Sequence, residues 1–107
     1  MEEPEKSWKL KLRYGKITTP FKHYTIIGEG IANNLIDGFE CQNGNAFMGM
    51  KIWAESPDQS VDVFQNIGEQ IGFLTNGKIY IYETDPEEPP KDKPYGYDIN
   101  FSPFDEK

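Results

Sequence analysis

One segment of this chain carries the full set of helix signals, and that narrows the architectures open to the rest. Ser56 offers an N-cap oxygen, Pro57 suits the first helical position, and Gln59 stands where it completes a capping box. Asp58 and Asp62 suit the positive end of the helix dipole. At about 100° per residue, Val61, Phe64, Ile67, Gly68 and Ile71 fall in an arc of about 120°. Gly72 fits the left-handed position that ends a helix. The spacing predicts a helix over about 57–71. Such a helix is ~22 Å long and covers one face of two or three strands. The opposite face of any sheet it packs on needs another cover.

The remainder reads as strands. Residues 7–14 alternate, with Trp8, Leu10, Leu12 and Tyr14 against Lys9, Lys11 and Arg13, which predicts a half-buried strand. A second strand is expected at 21–28, followed by an irregular stretch at 28–38. Asn43-Gly44 predicts a type I′ turn. In that register Phe39 and Cys41 share a face with Ala46, Met48, Met50 and Ile52. Asn45, Phe47, Gly49, Lys51 and Trp53 take the other face. Asn76-Gly77 predicts a turn into a strand at 78–84, with Ile79 and Ile81 opposed to Tyr80 and Tyr82. A last strand or docked arm, 95–104, carries Tyr95, Tyr97, Ile99 and Phe101 in alternation.

The expected fold class is α+β: a mostly antiparallel sheet of 5–6 strands with one amphipathic helix on one face, in the order β-β-β-β-α-β-β. The chain of 107 residues suits one domain. Residues 1–6 are expected to be a disordered N-terminus. Within the single domain 7–107, the Pro-rich acidic segment 85–94 holds four prolines and should run extended.

Composition removes many function classes. There is one Cys (Cys41) and one His (His23), too few for an internal disulfide or a His-rich metal site. Walker, dinucleotide-binding, CxxC, HExxH and GxSxG motifs are missing. No metal and no cofactor are expected. No apolar run approaches the ~20 residues that span a bilayer, and no secretory leader is recognisable. The localisation expected is cytoplasmic, with no membrane partner.

Charge is uneven. The chain has a net charge of −7, yet residues 7–28 hold Lys9, Lys11, Arg13, Lys16 and Lys22 and no acid. Lys9, Lys11 and Arg13 form a candidate basic stripe for an anion. The competing reading is the solvated face of an edge strand. An acidic chain is repelled by nucleic acid at long range, so a nucleic-acid partner is not expected.

Phe47, Trp53, Tyr80 and Tyr82 are the candidate binding residues, an aromatic sheet face left over by the helix. The function expected is a non-catalytic interaction module, with a protein partner or a homodimer covering those rings. One alternative is an acidic inhibitor or immunity-type protein for a basic partner, steered by charge. Another is a small enzyme using His23 with Glu29 or Glu40. No catalytic residue is assigned.

Overall fold

The computed structural model describes residues 7–104, and the expectation for residues 1–6 lies outside the described residues. The elements run α1 (Ser7–Arg13), β1 (Lys22–Ala32), β2 (Gly44–Ala54), α2 (Pro57–Ile71), β3 (Phe73–Glu83) and β4 (Tyr95–Pro103). The fold is α+β, as the sequence implies. The four strands among the described residues make one antiparallel sheet in the order β3-β1-β2-β4. Four strands replace the expected 5–6, and the element order is α-β-β-α-β-β.

One of the lost strands is residues 7–14. Leu, Lys and Arg are good helix formers, and the segment holds no β-branched residue. None of its residues is buried, so no sheet neighbour overrides that local preference. Gly15 stops the helix at φ 77°. Its N–H bonds the Leu12 carbonyl at 3.2 Å and the Lys16 N–H bonds that of Lys11 at 2.7 Å, the pairing of a Schellman motif.

The second correction concerns Asn43-Gly44. β1 is the strand that pairs with β2, from Lys22 opposite Ala54 to Ala32 opposite Gly44. Residues 33–43 are the connection between them, and 39–42 are not strand. Asn43 does not turn a hairpin there. Its side chain accepts from the Asn34 N–H at 2.8 Å and donates to the Asn34 Oδ1 at 3.1 Å, closing the loop on itself. The loop is also tied to the end of α2, because the Asn33 and Ile36 N–H groups bond the carbonyls of Gly72 and Ile71, each at 2.9 Å. Those carbonyls lie at the helix C-terminus, where the helix itself leaves acceptors free.

α2 matches its reading. Ser56 Oγ accepts from the Gln59 N–H at 3.1 Å. The Gln59 side chain reaches one residue further than a capping box, to the Glu55 N–H at 2.7 Å. Gly72 closes the helix at φ 116°. Phe64, Gly68 and Ile71 are buried against the sheet, with Ser60 beside them. A Cβ on Gly68 would stand 3.0 Å from the Phe73 carbonyl oxygen and from Met48 Cε, so the missing side chain lets helix and sheet close up. The core lies on this side: Tyr24, Ile26, Ala46, Met48, Met50, Ile52, Phe64 and Phe73.

β4 departs from simple alternation. Asp98 sits at φ 55°, and the pairing with β2 shifts between Gly49 and Lys51. This bulge divides the four apolar residues of the strand. Phe101 pairs with Met48, and it and Ile99 pack on the core side. Tyr95 and Tyr97 pair with Trp53 and Lys51 and turn to the opposite face. No helix among the described residues is long and apolar enough to cross a membrane.

Candidate functional site: the open face of the sheet

The face turned away from α2 follows from the strand registers. β1 supplies His23, Thr25, Ile27, Glu29 and Ile31, opposite Trp53, Lys51, Gly49, Phe47 and Asn45 of β2. On the other side Thr25, Ile27 and Ile31 pair with Tyr82, Tyr80 and Leu74 of β3. Phe47, Trp53, Tyr80 and Tyr82 therefore do share one face, but their surroundings differ.

Trp53 is buried at 2% exposure. The Pro-rich segment crosses over it, and its Nε1–H donates to the Glu88 carbonyl at 2.8 Å. Phe47 is half-buried and stacks on Phe104, with ring centroids 4.6 Å apart. Tyr80 and Tyr82 remain open, at 40% and 52% exposure. Ile27, Ile31 and Leu74 are exposed beside them, a set the aromatic count in the sequence did not draw in. The period-two alternation of 22–32 carries the signal for Ile27 and Ile31.

Between β1 and β4 the face is hollow. Gly49 has no side chain there, and a cavity of about 330 Å³ is lined by Ile27, Phe47, Gly49, Asn100 and Ser102. Its walls combine an apolar floor with amide and hydroxyl groups.

The covered end of the face is held by His23, which is 3% exposed. Nδ1 lies 3.1 Å from the Thr84 carbonyl oxygen, and Nε2 lies 2.7 Å from the Tyr97 hydroxyl. A carbonyl only accepts, so Nδ1 carries the proton and the Tyr97 O–H donates to Nε2. The Tyr97 oxygen also accepts the N–H groups of Glu87 and Glu88, at 2.9 and 3.2 Å. Trp53 meets the imidazole edge-on at 5.1 Å. Burial lowers the His23 pKa below its ordinary 6.5, partly offset by the Thr84 carbonyl. Burial likewise raises the Tyr97 pKa, and burial, with Glu88 beside it, pushes Tyr95 up to about 12. Lys51 forms an ion pair with Asp98 and lies 3.7 Å from Glu87.

The structure does not bring the proposed acid–base residues together. His23 and Glu29 are on the same strand, ~20 Å apart at the rise of a β-strand. Cys41 lies in the 33–43 loop, by the end of the β1–β2 ladder opposite His23, and packs against the core. Glu40 is in the same loop. Among the described residues no group of three or more His, Cys, Asp or Glu could hold a metal ion.

No known family, curated protein or solved structure matches this chain.

The basic residues read as a stripe are placed by a helix. On α1, Lys9 and Arg13 share a face, whereas Lys11 stands ~200° from Lys9. Lys9 and Arg13 line a cleft of about 220 Å³ with Trp8, Leu12, Asp85 and Pro86. Asp85 places a negative charge in that cleft.

Proposed function

We propose that this chain is a non-catalytic binding module whose working surface is the open sheet face. The observation that supports this most strongly is the exposed apolar group of Ile27, Tyr80 and Tyr82 in neighbouring register positions, with Ile31 and Leu74 as a second exposed pair beyond Glu29. Cross-strand neighbours of this kind form one surface. A partner that removes them from water gains ~25 cal/mol per Å² of apolar area. Polar groups border the apolar ones, Glu29 between the two exposed patches and Lys51, Asn100 and Ser102 on the side of β4, which suits a protein partner. His23 is already engaged in a satisfied hydrogen-bond network, so a structural role accounts for it.

The test is differential affinity capture from an extract of the cells that produce the protein. Wild type is compared with Ile27→Glu on the open face and Glu69→Lys on the exposed side of α2. The expected result is a protein retained by wild type and Glu69→Lys and lost from Ile27→Glu. Equal retention by all three would overturn the reading.

A further inference from the structure

The two edges of the sheet are unlike. β4 is irregular as an edge: it has the bulge at Asp98 and ends on Pro103. Both features discourage edge-to-edge pairing. β3 is an eleven-residue strand whose pairing with β1 shifts at residues 76–78, opposite Glu29, but keeps one register from Ile79 to Glu83, and no strand among the described residues pairs its outer edge. It has no proline, and Lys78 is its one basic residue. It is exposed on both sides of the sheet. Tyr80 and Tyr82 stand on the open face, whereas Ile81, at 38% exposure, stands on the side of α2 opposite Ile26. A partner lying flat on the open face would leave Ile81 in water. A partner that adds a strand covers both sides at once.

We propose that β3 pairs edge to edge with β3 of a second copy of this chain, in antiparallel fashion about a two-fold axis at Tyr80. This deepens the reading of the open face as a binding surface and rests on it. The axis stands perpendicular to the sheet, so each side of one copy continues into the same side of the other. Paired positions then sum to an even number and keep side chains on matching faces. Ile79 faces the second copy's Ile81, Tyr80 faces Tyr80, and Lys78 faces Tyr82. Glu83 faces Gly77, so no like charges are opposed. With one acid and one base, β3 is neutral in a chain of net charge −7, which makes it a stretch where two copies approach without local repulsion. An axis at Lys78 would pair the strands over their full length, but it sets Lys78 against Lys78. Tyr80, Tyr82 and Ile81 are already partly covered, at 40%, 52% and 38% exposure, so the pairing buries roughly half of the ~800 Å² per copy of a standard interface and makes a weak, concentration-dependent dimer.

The test is light scattering over a concentration series, with wild type, Ile81→Lys and, as the surface control, Glu69→Lys on the exposed side of α2. Circular dichroism establishes that each variant is folded. At the top of the series wild type and Glu69→Lys are expected at twice the chain mass, and Ile81→Lys at the chain mass. The register is read by mild air oxidation in a Cys41→Ala background, in which Tyr80→Cys is expected to form a covalent dimer and Ser102→Cys is not. A wild type that stays monomeric into the high micromolar range overturns the proposal. So does a dimer that survives Ile81→Lys, or one cross-linked through Ser102→Cys instead of Tyr80→Cys. A monomer that still shows the differential capture described above overturns the edge pairing alone.

Discussion

The Tyr97 hydroxyl stands 2.7 Å from Nε2 of His23, and this bond orients the oxygen that fastens the Pro-rich segment to the sheet. The same oxygen takes the N–H groups of Glu87 and Glu88, and the other imidazole nitrogen faces the Thr84 carbonyl. Every group in the chain of bonds has its partner only while His23 is neutral. A proton on Nε2 would compete with the Glu87 and Glu88 N–H groups for the Tyr97 oxygen and leave the Tyr97 O–H without its acceptor.

Stability should therefore fall in mild acid. The folded pKa of His23 lies below the ordinary 6.5, chiefly through burial. Between the two values the unfolded chain binds more protons, so stability rises with pH. The contribution is whole above about 6.5 and is lost as pH falls through that value toward the folded pKa. The charges around the ring pull both ways: Lys51 lowers its pKa, and Glu87 and Asp85 raise it. Thermal melts from pH 7.5 to 5.5 should show a falling midpoint in wild type. His23→Gln, which keeps a donor and an acceptor but no titration, should flatten the curve.

Tyr97→Phe keeps the ring and removes the link. It leaves Nε2 of His23 and the N–H groups of Glu87 and Glu88 without their partner. Leaving a buried group unsatisfied costs ~1–3 kcal/mol, measurable by urea unfolding. The Pro-rich segment should also loosen over Trp53, whose Nε1–H donates to the Glu88 carbonyl. In a Trp8→Phe background, the Trp53 emission should shift to longer wavelength.

Two glycines on the core side should resist substitution. A Cβ on Gly28 would meet the Phe64 ring at 2.6 Å, and forcing such a contact costs ~1–3 kcal/mol. Gly68→Ala is the sharper case. Helix propensity alone favours Ala by ~1 kcal/mol. The added carbon would crowd the Phe73 carbonyl at 3.0 Å, and that carbonyl belongs to backbone fixed in β3. Denaturant midpoints should show loss, not gain, for both variants.

Ser56→Ala should cost ~1 kcal/mol by removing the oxygen that accepts the Gln59 N–H. The same titration reads it, with an unchanged m-value if only stability is affected.

The elements legible in the sequence are those whose signals are local. Ser56, Pro57, Gln59 and Gly72 mark both ends of α2, and the sides taken by residues 45–53 follow from period-two alternation. Residues 7–14 mislead because Trp8, Leu10 and Leu12 alternate by coincidence in a helix that buries nothing. Asn43-Gly44 misleads because the Asn43 side chain is used across the loop to Asn34. The bulge at Asp98, which sends Tyr97 and Phe101 to opposite faces, depends on pairing with β2. The His23 network joins residues 61 and 74 positions apart, and nothing local announces it. The same holds for Trp53, an expected member of the exposed face, because its cover comes from a segment 35 residues away.

The account turns on whether the edge of β3 is occupied in solution. Amide hydrogen exchange, followed residue by residue at low and high protein concentration, reads this directly. The account predicts that the outward-facing N–H groups between Gly77 and Glu83 become strongly protected as concentration rises, while those on the outer edge of β4 do not change. Exchange along β3 that stays fast and independent of concentration would contradict it.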